Sequence, residues 1–358
     1  MGFLSGLFAC LVKKGLSAGG GEEQADDGGE PWNFFFELQV LQMATDFFSY
    51  LNRIGQRGFG NVYKGLMPNG QVVAVKKLSV NSQVTQFINE VKLLLKIQHK
   101  NLVMLLGCCA EGPEKILVYE YVPNKSLDCF LFDKKKFPSL DWPERFRMVS
   151  GVARGLLYLH EEAPERIIHR DIKASNILLD EQLHLKISDF GPARLFPGKD
   201  IYMSVDTIAG TIGYTAPEYL MEGYLSVKTD VFSFGVLVLE IVSGRRNYDR
   251  FDQENGTLLS YAWMLFQEGK TLELVDPSLD NYNPDQVAMC IQLGLLCCQR
   301  SVAERPDMSS VHLMLLSNPY TLPTPRNPGA GSIRSRNSIS ENSMSENSIS
   351  CSTMDEGR

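Results

Sequence analysis

The hydrophobic pattern of the chain changes its period once, near residue 121, and this change constrains the fold more than any other feature. Before it, short runs rich in β-branched residues, such as Val72–Lys76, are separated by turn signals such as Met67–Gly70. After it, apolar residues recur at helical spacing, as they do over Trp142–Leu159. Because a period of two favours strands and a period of 3.6 favours helices, the sequence predicts a strand-rich lobe followed by a helix-rich one.

The predicted fold class is α+β, with two lobes. The N-terminal lobe, 48–120, is expected to be a five-stranded antiparallel sheet with one main helix, and the C-terminal lobe, 121–316, is expected to be mostly helical. Strands are predicted near 62–65, 72–76, 102–106 and 116–121. Helices are predicted around Phe87–Leu95 and over 142–159, 227–242, 258–268, 284–298 and 308–316.

The two ends of the chain have compositions that do not suit a core. Residues 1–30 are rich in glycine and acids, and residues 317–358 contain a near-repeat of serine and asparagine. Because such segments bury too little apolar area to offset their ordering entropy, we predict a flexible N-terminal segment and a disordered tail. Apolar residues at helical spacing predict a helical extension over 31–47.

Composition also excludes classes of function. The 358 residues carry a formal net charge of −7 and no long basic block, which argues against nucleic-acid binding. The eight cysteines lack metal-ligand spacing, so we expect small buried residues in a reducing compartment. No apolar run reaches the ~20 residues of a spanning helix, and a cytoplasmic location is expected.

The first residues offer a further interpretation of location. Gly2 is placed for myristoylation, although Gly6 stands where that motif prefers serine or threonine, and Cys10 is a candidate for palmitoylation. Two such anchors would attach the chain to the plasma membrane. An unattached apolar tail is the alternative, and the sequence leaves both open.

The side chains with the most chemistry lie close together in the sequence. The string His169–Asn176 reads His-Arg-Asp-Ile-Lys-Ala-Ser-Asn, so it contains a carboxylate at Asp171, an ammonium at Lys173 and an amide at Asn176. A second carboxylate, Asp189, opens an Asp-Phe-Gly triplet. This set can activate a hydroxyl and hold Mg²⁺ against a nucleoside triphosphate. The order of these motifs resembles the catalytic centre of serine/threonine protein kinases.

The resemblance implies a role for each of these groups. Asp171 would accept the proton of the substrate hydroxyl, and Lys173 would stabilise the transferring phosphoryl group. Asn176 and Asp189 would hold Mg²⁺ through their oxygen atoms. The implied cofactors are ATP and Mg²⁺, and the implied partners are protein substrates and an upstream receptor kinase.

The strand-rich lobe resembles the nucleotide-binding half of the same family. Its glycine loop, Ile54–Val62, would approach the phosphates. Lys76 would bind the phosphates, and Glu90 would orient Lys76. Tyr119 would be the gatekeeper before a hinge that binds adenine. The implied ATP contacts are Ile54, Gly55, Gly58, Gly60, Val62, Ala74, Lys76, Glu90, Glu120, Val122, Leu178 and Asp189.

Other residues are implied to hold the active arrangement. Glu218 would pair with Arg305, Asp230 would brace the catalytic loop, and the Thr211 hydroxyl would bond Asp171 and Lys173.

Regulation is implied by Arg170, which such kinases pair with a phosphate on the activation loop. Ser204 and Thr207 are the candidate acceptors, and Thr211 is a weaker one because its hydroxyl is needed structurally. The alternative is a solvated polar loop that is not modified.

Two positions depart from the family pattern. Arg57 stands where the second glycine of the glycine loop is usual in the family. Pro192 follows Asp-Phe-Gly, where a larger flexible apolar residue is usual. A β-carbon at residue 57 could strain the turn, or the guanidinium could contact a phosphate or shield the site. Proline at residue 192 fixes φ and removes a donor. The alternative function is therefore a pseudokinase scaffold with weakened use of ATP.

The similarity in motif order runs from residue 48 to residue 316. Within the superfamily, Leu117–Asp128 and Asp230–Leu237 resemble plant receptor-like kinases, and the cysteine-rich receptor-like group is the nearest resemblance. A cytoplasmic form without ectodomain or spanning helix is expected. The expected function is serine/threonine phosphorylation in membrane-proximal plant signalling, activated by loop phosphorylation.

Overall fold

The computed structural model describes residues 34–57, 60–79, 83–196, 202–249, 256–316 and 322–328. These residues divide into two compact units. The first comprises the described residues up to Gln98 together with Met104–Tyr121, and the second comprises His99–Val103 and the described residues from Val122 onward. Within the described ranges, no helix has the length and apolar character needed to cross a bilayer.

One antiparallel sheet forms the framework of the first unit, with five strands in the order β1-β2-β3-β5-β4. The strands are β1 (Arg53–Arg57), β2 (Gly60–Leu66), β3 (Val72–Leu78), β4 (Leu105–Cys109) and β5 (Ile116–Glu120). Gly70, with φ of +82°, lies in the turn between β2 and β3, because a left-handed residue there costs glycine little. The prediction of a five-stranded antiparallel sheet is confirmed.

Two helices pack with this sheet, α1 (Leu38–Ala44) and α2 (Gln83–Leu94). Leu41 of α1 joins the core formed by β-strand residues such as Val75 and Val118. The helix predicted over 31–47 begins only at Leu38. Phe34–Phe36 are instead extended, and their main chain exchanges two 2.9 Å hydrogen bonds with Cys108 of β4.

Strand β4 begins later than the sequence predicts. A strand is predicted over 102–106, but Leu102 and Val103 pair with Ile187 of the second unit, and β4 starts at Leu105. Because this pairing joins segments far apart in sequence, local hydrophobic pattern alone does not show it.

The described part of the second unit is mostly helical, as predicted. Its α-helices are α3 (Leu127–Phe132), α4 (Trp142–Leu157), α5 (Pro217–Glu222), α6 (Val227–Ser243), α7 (Leu258–Gln267), α8 (Pro284–Cys297) and α9 (Met308–Leu316). Helix α6 is buried from Thr229 to its end. It approaches α8 closely, since a β-carbon on Gly235 would lie 2.7 Å from Gly294 O.

Short strand pairs place the polar segments of this unit. The strands are β6 (Ile167–Ile168), β7 (Ile177–Leu179), β8 (Leu185–Ile187), β9 (Arg194–Leu195), β10 (Met203–Ser204) and β11 (Tyr224–Leu225). They pair as β6 with β9, β7 with β8 and β10 with β11. The polar string 169–176 therefore lies between β6 and β7, and Asp189 follows β8.

Part of the predicted disordered tail is placed on the second unit. The carbonyl groups of Leu322 and Pro323 accept hydrogen bonds from Gln292 Nε2 on α8, at 3.3 and 2.8 Å. Arg326 N donates to Gln299 Oε1 at 3.1 Å. Glutamine side chains thus satisfy the polar backbone of an extended proline-rich segment, so residues 322–328 depart from the predicted disorder. The predictions for 1–30, 317–321 and 329–358 lie outside the described residues.

The described cysteines are all buried, and no disulfide joins any two of them: Cys108, Cys109, Cys129, Cys290, Cys297 and Cys298. Burial raises the pKa of the Cys290 thiol to about 12, which keeps it protonated. The prediction of small buried residues is confirmed for these positions.

Candidate active site

A closed network of hydrogen bonds surrounds Asp171 in the loop between β6 and β7. Asp171 Oδ1 accepts the Thr211 hydroxyl at 2.6 Å, and Asp171 Oδ2 lies 2.9 Å from both Lys173 Nζ and Asn176 Nδ2. Lys173 Nζ also donates to Thr211 Oγ1 at 2.7 Å. Because Asp171, Lys173 and Asn176 are at most 5% exposed, the network fixes the orientation of the carboxylate.

The backbone on each side of this network is strained. Arg170 has φ of +73° and Asp189 has φ of +68°, both in the left-handed region. A side chain there costs roughly 1–2 kcal/mol, so surrounding contacts must stabilise the conformation. Such strain is typical of residues whose side-chain direction matters for function.

Asp230 on α6 supplies those contacts for the loop. Asp230 Oδ2 accepts the main-chain N–H of His169 at 2.7 Å and lies 2.9 Å from His160 Nε2, while Oδ1 accepts the Arg170 N–H at 2.8 Å. Burial by itself raises the pKa of Asp230, but the hydrogen bond and charge of His160 and the charge of His169 outweigh it, and the pKa is lowered. The carboxylate therefore stays ionised and fixes the loop to α6.

Asn176 and Asp189 lie at the same end of the β7–β8 hairpin. Asn176 directly precedes β7, Asp189 is the second residue after β8, and Ile177 pairs with Ile187. Ser188 N and Ser188 Oγ donate to Asn176 O at 2.9 and 3.0 Å, which holds the two segments together. One amide and one carboxylate thus share one edge of the second unit, and such oxygen donors fit Mg²⁺.

A buried ion pair occupies the first unit. Lys76 Nζ on β3 lies 3.2 Å from Glu90 Oε2 and 3.4 Å from Glu90 Oε1 on α2. Tyr119 on β5 donates its hydroxyl to Glu90 Oε1 at 2.5 Å. Because Lys76 and Glu90 are only 5% and 1% exposed, either charge alone would be costly, and the pair holds the ammonium in position.

The other predicted ATP-contact residues divide between the units. Those on strands of the first unit are Ile54, Gly55, Gly60, Val62, Ala74 and Glu120. A β-carbon on Gly60 would lie 2.7 Å from Lys77 O, so the close pairing of β2 and β3 requires glycine there. Val122 and Leu178 belong to the second unit. Gly58 and the side chain of Arg57 lie outside the described residues.

The candidate phosphorylation sites differ in their surroundings. Ser204 and Thr207 are exposed. The Thr211 hydroxyl, by contrast, already bonds Asp171 and Lys173. Glu218, which follows Thr211 in the chain, forms a bidentate pair with Arg305, with N–O distances of 2.7 and 2.8 Å.

Glu240 on α6 is a further buried carboxylate that the motifs above do not include. Its Oε1 and Oε2 each lie 2.7 Å from the Tyr214 hydroxyl, and Oε1 also accepts Asn247 N at 2.8 Å. Asn247 Nδ2 donates to Gly213 O at 2.9 Å, which secures the backbone beyond Thr211. Burial raises the pKa of Glu240 to about 7, although hydrogen bonds from Tyr214 and Asn247 oppose the rise. A charged residue inside the apolar run of α6 is the signal that points to it.

A strand-rich unit with a paired lysine and a helical unit with an oriented carboxylate are together the architecture of a protein kinase domain. Comparison with known protein families agrees, because residues 48–315 match the family described as protein tyrosine and serine/threonine kinase. The chain belongs to that family. The predictions of a protein kinase and of its α+β, two-lobed fold are confirmed.

Curated plant proteins resemble the chain over most of its length. G-type lectin S-receptor-like serine/threonine-protein kinase B120 of Arabidopsis thaliana is 52% identical over 85% of this chain and 36% of its own length. Cysteine-rich receptor-like protein kinases 10 and 6 of the same plant are 53% and 49% identical, over 82% and 88% of this chain and 44% and 48% of their own lengths. The chain thus spans less than half of each relative.

These relatives confirm the resemblance to plant receptor-like kinases. They include G-type lectin and cysteine-rich receptor-like kinases at similar identity, so the comparison does not favour the cysteine-rich group over the other.

The contact between Tyr119 and Glu90 generates a prediction about stability. Tyr119→Phe keeps the ring but removes a donor from a buried carboxylate, so the free energy of unfolding should fall by about 1–3 kcal/mol. Urea denaturation measures it. Tyr63→Phe is the matched control, because Tyr63 is buried in the same unit and its hydroxyl has no hydrogen bond within the described residues. Equal stability of the two variants would contradict the role assigned to the phenol.

Proposed function

We propose that the chain is an active serine/threonine protein kinase, which transfers the terminal phosphate of ATP to hydroxyl groups of proteins. The observation that carries this proposal is the network at Asp171, where Thr211, Lys173 and Asn176 orient one buried carboxylate. A relative at 52% identity is named a serine/threonine-protein kinase, which supports the same specificity.

The proposed reaction uses Asp171 as the proton acceptor. A substrate hydroxyl beside Asp171 transfers its proton to the carboxylate as its oxygen bonds to the terminal phosphorus. The bond from that phosphorus to the bridging oxygen breaks, and ADP leaves with the electron pair. Lys173, 2.9 Å from Asp171 Oδ2, supplies positive charge beside the transferring group.

The remaining roles follow the same proposal. Lys76 would bind the α and β phosphates, and its pairing with Glu90 supports a fixed ammonium. Asn176 and Asp189 would hold Mg²⁺, which when bound neutralises phosphate charge. The other proposed ATP contacts are Ile54, Gly55, Gly58, Gly60, Val62, Ala74, Glu120, Val122 and Leu178.

A pseudokinase scaffold gains no support from the described part of the chain. Pro192, one ground for that alternative, follows the Asp-Phe-Gly triplet and offers its carbonyl to Arg170 at 2.9 Å. The proline at this position is therefore compatible with an ordered segment beside Asp171.

Radiolabelled ATP tests the catalytic proposal. Asp171→Asn should lower autophosphorylation by about 100-fold or more, because the amide cannot accept the hydroxyl proton. Asp249→Asn, an exposed carboxylate outside the network, should retain the wild-type rate. Equal incorporation by wild type and Asp171→Asn would refute a role for Asp171 in catalysis.

We also propose that the chain works near the cytoplasmic face of the plasma membrane, with an upstream receptor kinase as a partner. The support is sequence alone, since Gly2 and Cys10 lie outside the described residues. If both are acylated, Gly2→Ala and Cys10→Ser should each move the protein from the membrane fraction to the supernatant, because one lipid chain binds only marginally. Ser5→Ala is the control. An unchanged membrane fraction in both variants would reject this anchor.

A further inference from the structure

The guanidinium group of Arg170 is buried, yet within the described residues all of its hydrogen-bond acceptors are uncharged. Arg170 Nη1 donates to Pro192 O at 2.9 Å, and Nη2 donates to Thr207 O at 2.8 Å. Arg170 Nε donates to the Tyr219 hydroxyl oxygen at 2.8 Å, and Nη2 also contacts that oxygen. Only 4% of Arg170 is exposed. Because buried charges are normally paired with opposite charges, this neutral set of acceptors must orient the guanidinium on its own.

Tyr219 is the side chain on which this arrangement converges. It lies on α5 with none of its surface exposed. Besides the Arg170 donors, its oxygen accepts the main-chain N–H of Ala209 at 2.9 Å. The phenol therefore connects the catalytic loop with the segment that carries Thr207 and Thr211.

The short segment from Ala209 to Thr211 connects the Tyr219 hydroxyl to the Asp171 carboxylate. Gly210, with φ of +120°, packs so tightly that a β-carbon would lie 2.5 Å from Arg170 O. The next residue, Thr211, donates its hydroxyl to Asp171 Oδ1 at 2.6 Å. Displacement of the Ala209 amide would therefore shift the hydroxyl that orients Asp171.

We propose that Tyr219 is a positioning residue for phosphoryl transfer. Its phenol oxygen bonds Arg170 as a loop phosphate would, and it holds Ala209–Thr211 in place before the loop is phosphorylated. The inference rests on the proposed kinase function. Its consequence is a basal activity that needs no phosphate on the loop.

A phosphate on Thr207 would replace the contact between Tyr219 and Arg170 rather than add to it. The Thr207 side chain is exposed, while its carbonyl lies 2.8 Å from Arg170 Nη2. A phosphate on that residue would bring negative charge to a buried guanidinium that has only neutral acceptors, and it would be the stronger partner. Loss of the phenol should therefore matter only while the loop is unmodified.

Steady-state kinetics on phosphatase-treated protein with a serine peptide test the proposal. In Tyr219→Phe, kcat should fall by about tenfold or more, with KM for ATP within about twofold of wild type. Adding Thr207→Glu to Tyr219→Phe should restore most of kcat. Tyr202→Phe, which removes an exposed phenol, should behave as wild type.

Two results would overturn the proposal. One is an unchanged kcat in unphosphorylated Tyr219→Phe, and the other is a low kcat that Thr207→Glu does not restore, since a merely structural defect would not be rescued. Hydrogen exchange at the Ala209 amide tests the Tyr219 contact independently of the kinase assignment. Exchange should be about tenfold faster in Tyr219→Phe than in wild type, whether or not the protein phosphorylates anything. Equal exchange in the two proteins would contradict the contact.

Discussion

The hydrogen bonds that Asp230 accepts from the loop between β6 and β7 hold the candidate active site against α6. The main-chain amides of His169 and Arg170 both donate to it, and His160 Nε2 lies against it. Since α6 is buried along most of its length, these bonds fix the loop to a core helix. The left-handed backbone of Arg170 is stable because these bonds offset its strain.

Two sets of contacts connect Asp230 to Asp171. In the first, the loop held by Asp230 continues to Asp171, and Lys173 and Asn176 orient the Asp171 carboxylate. In the second, the Arg170 side chain donates to Tyr219, which also accepts from the segment that ends at Thr211. Both sets of contacts therefore end at the Asp171 carboxylate. In the first unit a buried charge is likewise held by a buried partner, because Glu90 pairs with Lys76.

The sequence predicts the elements and the chemistry better than the contacts between distant segments. The His169–Asn176 string, the lysine of β3 and the helices of the second unit follow from local motif and period. The pairing of Leu102 with Ile187 does not, because hydrophobic period carries no information about which strand lies alongside. The role of Tyr219 is not predicted from the sequence for a related reason, because no local pattern brings its partners, the Arg170 side chain and the Ala209 amide, together. Glu240 does carry a signal, because a carboxylate in the apolar run that follows Asp230 needs hydrogen-bond donors to offset its burial.

Asp230→Asn tests whether Asp230 holds the loop between β6 and β7 in the conformation that orients Asp171. The amide retains one acceptor but turns its NH₂ group toward one of the two loop amides, which removes a hydrogen bond and adds a clash of donors. Hydrogen exchange at the His169 and Arg170 amides should become at least about tenfold faster, and kcat should fall by a similar factor, which is the effect of losing about 1.4 kcal/mol. Exchange and kcat equal to those of wild type would show that Asp230 does not hold the loop.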